Sequence, residues 1–141
     1  MIKRVFVDTD IILDVALARK PFLEASHLVL SLLENNIALG YVSSNCITNL
    51  YYVFRKVGGD VNAREFITRL LQYLTVISIE HSDVVNGLKS NIRDLEDALQ
   101  HYSALRNQCD CIITRNLEDY KNSLINVYSP IEFLNLYKEK L

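Results

Sequence analysis

The sequence predicts an α/β fold: a three-layer α/β/α sandwich whose central sheet is mainly parallel and contains about five strands. Three observations support this prediction. Short segments rich in β-branched and aromatic residues alternate with longer segments in which apolar residues recur at helical spacing. The 141 residues are 50% apolar, which is enough for a buried core in one domain. No linker, repeat or low-complexity segment divides the chain, so we expect a single domain over residues 1–141.

Five segments have the composition of strands. The first contains Val5, Phe6 and Val7, an apolar run that predicts a buried strand. The predicted strands cover residues 4–7, 39–43, 75–79, 111–114 and 126–128. Because helices separate these strands, right-handed crossovers are expected, and such crossovers make the sheet mainly parallel.

Seven segments have helical periodicity, and turn residues mark several of their ends. The predicted helices cover residues 10–18, 21–35, 45–56, 61–73, 82–90, 95–106 and 130–139. Pro21 and Pro130 stand where two of these helices begin, which suits the first helical position. The pair Gly58-Gly59 is predicted to close the helix over residues 45–56.

Charge and hydropathy argue against several classes of protein. The net charge is -2 and charges of both signs are mixed, so broad electrostatic binding of nucleic acid is not indicated. A local rim of basic residues is still compatible with this net charge. Apolar runs are too short to span a membrane and no signal-like segment is present, so the cytoplasm is the expected location. An odd number of cysteines, without a further Cys or His pair, favours buried thiols over disulfides or zinc.

Acidic residues recur at one predicted edge of the sheet. Asp8 and Asp10 follow the first strand, Asp94 and Asp97 open a helix, and Asp119 comes just past the fourth strand. This edge holds the carboxyl ends of parallel strands, where such folds bind ligands. Converging carboxylates would repel each other unless a divalent cation neutralised them, and oxygen ligands favour Mg²⁺ or Mn²⁺. Such ions activate water and stabilise charge on phosphate, so the pattern predicts metal-assisted phosphodiester hydrolysis.

Most of these acids also have a simpler interpretation. Asp94 and Asp97 have the spacing of a variant capping box. Asp14 fits a residue near a helix start, and Glu118 and Asp119 fit solvated loop charges. Asp8 is the exception, because it ends a fully apolar strand, where an unpaired carboxylate is costly.

Four segments resemble, in order and spacing, the successive motifs of PIN-domain nucleases. They are residues 7–9 (VDT), 18–22 (ARKPF), 94–99 (DLEDAL) and 113–120 (ITRNLEDY). The resemblance implies a PIN-like domain and Mg²⁺- or Mn²⁺-dependent cleavage of RNA that leaves a 5′ phosphate and a 3′ hydroxyl. Many bacterial members are VapC-like toxins held inactive by a small antitoxin. An RNA substrate, an antitoxin partner and a homodimer are therefore expected.

The resemblance also assigns roles to matching positions. Asp8, Asp97 and Asp119 match the metal-binding acids, and Asp94 completes the expected catalytic set. Supporting or substrate-contacting roles fall to Thr9, Asp10, Asn49, Thr114, Arg115 and Asn116. Thr9 would orient Asp8, while Asp94 or Asp10 would help to deprotonate the attacking water. Candidates for positioning phosphates are Arg19, Lys20, Arg55 and Arg115.

Asn49 departs from the family pattern, which normally has an acid in the helix after the second strand. Residues 47–52 (ITNLYY) resemble a PIN subgroup that carries Asn at this position. An amide still offers one oxygen ligand, but it removes a charge and weakens a cation site. Asp10 or Asp94 would partly replace that charge.

Two other functions fit parts of the sequence. Asp8 and Asp10 would also serve as nucleophile and acid/base of a haloacid-dehalogenase-like phosphohydrolase, but that class needs a late acidic pair where residues 114–116 (TRN) stand. A PIN fold impaired at Asn49 would instead be a binding module for RNA or protein. No binding of Mn²⁺ at all by the parent protein would favour the module.

Overall fold

The computed structural model describes residues 2–138, which form a helix-covered sheet. Its strands are β1 (Arg4–Val7), β2 (Leu39–Ser43), β3 (Leu74–Ile77), β4 (Cys111–Ile113) and β5 (Asn126–Tyr128). Its helices are α1 (Thr9–Ala16), α2 (Leu23–Glu34), α3 (Ser44–Leu70), α4 (His81–Lys89), α5 (Leu95–Arg106) and α6 (Pro130–Leu136), and a 3₁₀ helix covers Leu117–Tyr120. Elements alternate along the chain as the sequence predicts.

The five strands form one sheet in the order β3-β2-β1-β4-β5, and every neighbouring pair is parallel. The first strand is therefore the central one. Val7 of β1 is in register with Ile113 of β4, so the residues that follow these two strands emerge side by side. The predicted α/β class with a parallel, five-stranded sheet is confirmed.

Helices cover both faces of the sheet, which gives the three layers. Val5 and Val7 point to one face and pack in a large apolar cluster with residues of α1, α2, α3 and α6. Phe6 points to the other face and packs with Ala104 of α5 and with Tyr120. This division follows from the alternation of side chains along a strand. Both faces of β1 are consequently buried, as its apolar sequence requires.

The predicted helices 45–56 and 61–73 together correspond to α3, which has a kink at Gly59. Gly59 has φ 85° and ψ 168°, a backbone conformation that L side chains rarely adopt. The glycine pair does close the first helix, as predicted. The helix predicted over residues 61–73 begins immediately after Gly59.

The prediction that a proline begins a helix is confirmed for Pro130 and is wrong for Pro21. Pro130 is the first residue of α6, where Ser129 and Glu132 form a capping box. Pro21 does not open a helix, because α2 begins at Leu23, so that prediction is wrong by two residues. The predicted end of the last helix at residue 139 lies outside the described residues.

Two further features of the structure bear on predictions made from composition. Within residues 2–138, no helix is both long enough and apolar enough to cross a membrane. Cys46, Cys109 and Cys111 are buried free thiols, as the cysteine count predicts.

A candidate acidic active site

Asp8 lies at the carboxyl end of the central strand and is 6% exposed. One carboxylate oxygen accepts a hydrogen bond from the backbone amide of Thr9 at 2.8 Å, so Asp8 is the N-cap of α1. The other accepts from the hydroxyl of Thr114 at 2.8 Å. The register of β1 with β4 places Thr114 beside Asp8, and these two donors hold the carboxylate in one orientation.

Asp94 and Asp97 stand at the start of α5. Asp94 is its N-cap, because one carboxylate oxygen accepts from the backbone amide of Asp97 at 3.0 Å. The carboxylate of Asp97 instead accepts from the hydroxyl of Tyr120 at 3.3 Å. Asp94 therefore performs the helix-capping role proposed for it, and Asp97 is left directed towards the neighbouring acids.

These residues face one open cleft of about 550 Å³ at the carboxyl edge of the sheet. Its lining is Asp8, Thr9, Asp10, Leu13, Asn49, Val53, Arg93, Asp94, Glu96, Asp97, Asn116 and Asp119. Eight of the ten residues proposed from sequence thus share the cleft. Thr114 lies behind Asp8 rather than on the surface of the cleft, and Arg115 lies elsewhere.

The electrostatics of the cleft disfavour several negative charges. Burial, together with the charges of Asp8, Asp94 and Asp119, raises the pKa of Asp97 to about 7, although its hydrogen bond from Tyr120 opposes the shift. Burial likewise raises the pKa of Asp8 to about 6, although its hydrogen bond from Thr114 opposes the shift. Negative charge is therefore in excess over what the protein neutralises. This is the condition under which a divalent cation binds favourably.

The donor set fits a hard cation such as Mg²⁺ or Mn²⁺, because the lining offers carboxylate and amide oxygens and no His or Cys. Within residues 2–138, no three acidic, His or Cys side chains are close enough together to hold one ion as they stand. Side chains such as Asp97 and Asp119 would have to move inwards around an ion.

Two arginines lie next to acids of the cleft. The guanidinium of Arg93 is 3.6 Å from Asp119, and its side chain is 79% exposed. Arg19 is 3.6 Å from Asp10, whose carboxylate also accepts from the amide of Asn116 at 3.4 Å. These cations partly neutralise the rim and face the solvent from which a substrate would approach.

Arg115 has a different environment from the one expected. Its guanidinium lies 2.9 Å from the carboxylate of Asp14, which is fully buried, and stacks over the ring of Phe22 at 3.9 Å. Asp14 also accepts from the hydroxyl of Ser26 at 3.0 Å and lies inside α1. The helix-start interpretation of Asp14 is therefore wrong. Arg115 neutralises this buried carboxylate and is not directed towards the cleft.

The other basic candidates also lie outside the lining of the cleft. Lys20 lines a separate depression together with His27. Arg55 stacks over the rings of Tyr51 and Tyr52 at 5.5 and 5.3 Å. Of the four basic residues proposed from sequence, Arg19 alone contacts an acid of the cleft among the described residues.

Three residues of the site were missed by sequence reasoning: Glu96, Arg93 and Tyr120. Glu96 stands within the acidic run 94–97, but three charges at a helix start do not show which of them face the cleft. Arg93 precedes the same run, and nothing in the sequence distinguishes it from the other arginines of the chain. Tyr120 is 1% exposed, and its apolar surroundings resemble those of a core residue, although its hydroxyl reaches Asp97.

An all-parallel sheet with an acidic cleft at the carboxyl end of its central strand defines an α/β protein of the class that binds ligands at this edge. A sequence profile described as the PIN domain matches residues 4–118, so the chain belongs to the PIN domain family. The chain is similar to ribonuclease VapC1 of Aquifex aeolicus (strain VF5), with 28% identity over 136 residues that cover 93% of each protein.

Solved structures that resemble this chain include two bacterial proteins. VapBC2 of Rickettsia felis, in a structure bound to a promoter DNA fragment, has a TM-score of 0.68 and 16% identity, and the match covers 89% of this chain and 98% of that one. VapC20 of Mycobacterium tuberculosis, described as a sarcin-ricin loop cleaving toxin, has a TM-score of 0.61 and 12% identity, with 77% and 86% covered. These likenesses confirm the fold.

Proposed function

We propose that this chain is a metal-dependent endoribonuclease that hydrolyses phosphodiester bonds of RNA, and that it is the toxin of a toxin–antitoxin pair. The proposal treats residues 1–141 as a single PIN-like domain acting in the cytoplasm. The observation that carries it is the convergence of buried Asp8 with Asp97 and Asp119 at one open cleft. Similarity to a ribonuclease over 93% of the chain supports the same activity.

Asp8, Asp97 and Asp119 are the residues proposed to hold Mg²⁺ or Mn²⁺. The ion would neutralise charge on the scissile phosphate and activate the attacking water. Asp8 is best placed as the fixed ligand, because Thr9 and Thr114 already determine the orientation of its carboxylate. Asp97 can move more freely, since the only hydrogen bond that its carboxylate makes within the described residues is a long one, from Tyr120.

The remaining residues of the cleft would orient the substrate and move protons. Asp10 lies on the cleft beside Arg19 and Asn116, where it could accept a proton during attack. Asp94 is less suited to that role than the sequence indicated, because its capping bond occupies one oxygen. Arg93 and Arg19 are the cations available to the phosphates of RNA at this cleft, in the described part of the chain.

A small antitoxin is the proposed protein partner, and a homodimer is the proposed assembly. Structures similar to this chain include a toxin–antitoxin complex from Klebsiella pneumoniae with a TM-score of 0.67, at 20% identity. Likeness of fold supports the proposal of an antitoxin without identifying the surface that it would cover. Size-exclusion chromatography of the chain alone, then with the product of an adjacent reading frame, tests both proposals.

The sequence left two alternatives, and the structure bears differently on them. The phosphohydrolase alternative gains no support, because the chain belongs to the PIN domain family. The impaired binding module is favoured by one observation, namely the neutral Asn49 in the lining of an acidic cleft. Cleavage and metal binding by the parent protein distinguish that module from an enzyme.

The decisive experiment incubates the protein with a pool of structured RNAs, with Mn²⁺ or with EDTA. We expect scission that requires Mn²⁺ and yields 5′ phosphates. The variant Asp8→Asn should lose at least about a hundredfold in rate, because it removes one ligand charge at a fixed position. Asp60→Asn is the matched control, since Asp60 is an exposed residue that pairs with Arg64 on α3, outside the cleft.

Calorimetric titration with Mn²⁺ separates the enzyme from the module. We expect the parent protein and the Asp60→Asn variant to bind Mn²⁺, and the Asp8→Asn and Asp97→Asn variants to bind it much more weakly. Metal-dependent scission that survives in Asp8→Asn would contradict the proposed site. A parent protein that binds RNA but neither binds Mn²⁺ nor cleaves would be the module.

A further inference from the structure

Asn49 and Glu96 are joined across the cleft although 47 residues separate them in sequence. The side-chain amide of Asn49, in α3, donates to the carboxylate of Glu96, in α5, at 3.0 Å. The same carboxylate oxygen accepts from the side-chain amide of Gln100 at 3.3 Å. Gln100 is buried and lies one turn further along α5. Glu96 is thus held by two neutral donors and has no cationic partner among the described residues.

The orientation of the Asn49 amide follows from charge. A carboxylate only accepts hydrogen bonds, so the nitrogen of the amide has to face Glu96 and the oxygen has to face away from it. A second carboxylate at position 49 would lie about 3 Å from that of Glu96 and would repel it. An amide at this position therefore avoids that repulsion and gives the Glu96 carboxylate a hydrogen-bond donor.

We propose that Glu96 is a fourth carboxylate of the divalent-cation site and that Asn49 is the positioning residue that orients it. This inference rests on the proposed function, because it concerns the ion expected between Asp8, Asp97 and Asp119. Glu96 lines the same cleft as these three acids. One of its oxygens is held by the two amides, and the other is free to face an ion.

The arrangement explains how a cleft with a neutral residue at position 49 keeps its negative charge. The sequence suggested that Asp10 or Asp94 would replace the missing charge. Asp10 is already paired with Arg19, and Asp94 is engaged as the cap of α5. Glu96 is engaged only by neutral amides, so its whole charge remains available to a cation.

The test uses a swap of charge between the two side chains. Glu96→Gln keeps the length of the side chain and an oxygen that can accept from Asn49, so a purely structural contact survives this change. The double variant Asn49→Asp with Glu96→Gln returns one negative charge to the same hydrogen-bonded pair, with both side-chain lengths unchanged. Glu118→Gln is the matched control, because Glu118 pairs with Lys121 outside the lining of the cleft.

The primary measurement is Mn²⁺ affinity by calorimetry at fixed pH, with thermal unfolding as a check of the fold. We expect Glu96→Gln to weaken Mn²⁺ binding on the order of tenfold or more, and the double variant to recover most of that loss. Asn49→Leu should weaken binding by less, because the charge stays but loses its orientation. Thermal unfolding of Glu96→Gln in EDTA should match that of the parent.

Three results would overturn the inference, and they are distinguishable. If Asp8→Asn abolishes Mn²⁺ binding while Glu96→Gln binds within about twofold of the parent, the proposed function stands and the role of Glu96 is refuted. If the parent protein itself does not bind Mn²⁺, the metal-dependent function and the inference fail together. Weakened binding in Glu96→Gln without recovery in the double variant would refute the role of charge at this pair.

Discussion

The hydroxyl of Thr114 donates to the carboxylate of Asp8 at 2.8 Å, and both side chains are buried at the carboxyl ends of neighbouring strands. The contact exists because Val7 and Ile113 are in register, so the next residue of each strand meets the other. A buried carboxylate needs such donors to stay ionised. The proposed cation site therefore depends on a strand pairing that is formed by apolar residues.

Replacement of Thr114 by Val tests whether the Asp8 carboxylate depends on the Thr114 hydroxyl. The variant Thr114→Val keeps the shape but removes the donor, so the pKa of Asp8 should rise further and Mn²⁺ binding near pH 6 should weaken. The free energy of unfolding should fall by about 1–3 kcal/mol, the usual effect of removing one partner of a buried hydrogen bond. Calorimetry and urea denaturation measure the two effects. Thr114→Ser, which keeps a hydroxyl, should resemble the parent, and equal Mn²⁺ affinity in both variants would contradict the prediction.

Loss of the Arg115 guanidinium should affect folding rather than the cleft. Arg115→Met leaves the fully buried carboxylate of Asp14 without its cationic partner. Breaking a buried ion pair in this way typically destabilises by about 3–5 kcal/mol. Urea denaturation should show that loss. Arg19→Met is the control: its ion pair with Asp10 is more than one-third exposed, so stability should change by less than about 1 kcal/mol.

The strands were predictable because their signals are local. The bounds of β1, β2 and β5 agree with the sequence, since short apolar runs define them. The parallel direction of the strands was predictable from the helices between them. The convergence of Asp8 with Asp97 followed, because parallel strands end at the same edge of the sheet. Contacts between distant side chains were not predictable in the same way.

The direction of side chains explains where the sequence prediction of the site was wrong. Thr114 and Arg115 are adjacent and follow the end of β4, but their side chains reach different partners. Thr114 reaches Asp8, whereas the guanidinium of Arg115 reaches the buried carboxylate of Asp14. The pairing of Asn49 with Glu96 depends on how α3 and α5 are placed across the cleft, and neither helix encodes that placement alone.

The stability of the metal-free protein should fall as the pH rises from about 4 to 7. The folded protein raises the pKa of Asp8 to about 6 and that of Asp97 to about 7, so it binds these protons more tightly than the unfolded chain does. Their stabilising contribution is complete below the unfolded pKa, near 4, and is lost as the pH passes 6 and 7. For Asp8 the loss is at most about 3 kcal/mol, from 1.36 kcal/mol for each pKa unit.

Urea denaturation in EDTA at several pH values measures this dependence. Other carboxyl groups also titrate, so the informative quantity is the difference between the parent and Asp8→Asn. That difference should change between pH 4 and 7, because the variant has no proton to lose at this position. Mn²⁺ should stabilise the parent more at pH 7 than at pH 5, since protons compete with the ion for carboxylates. A difference that is constant with pH would refute the raised pKa of Asp8.

Removal of the charge of Arg93 should weaken binding of the RNA substrate more than it lowers the stability of the fold. The guanidinium is 79% exposed and lies 3.6 Å from Asp119, so it faces both the cleft and the solvent. In Arg93→Gln, with saturating Mn²⁺, we expect KM to rise on the order of tenfold, and the dependence of kcat/KM on salt to become shallower by about one unit in a log–log plot. Arg69→Gln is the matched control, because Arg69 is an exposed arginine in the last turn of α3, outside the lining of the cleft. A change in kcat with an unaltered salt slope would mean that Arg93 acts on the ion site through Asp119 instead of contacting phosphate.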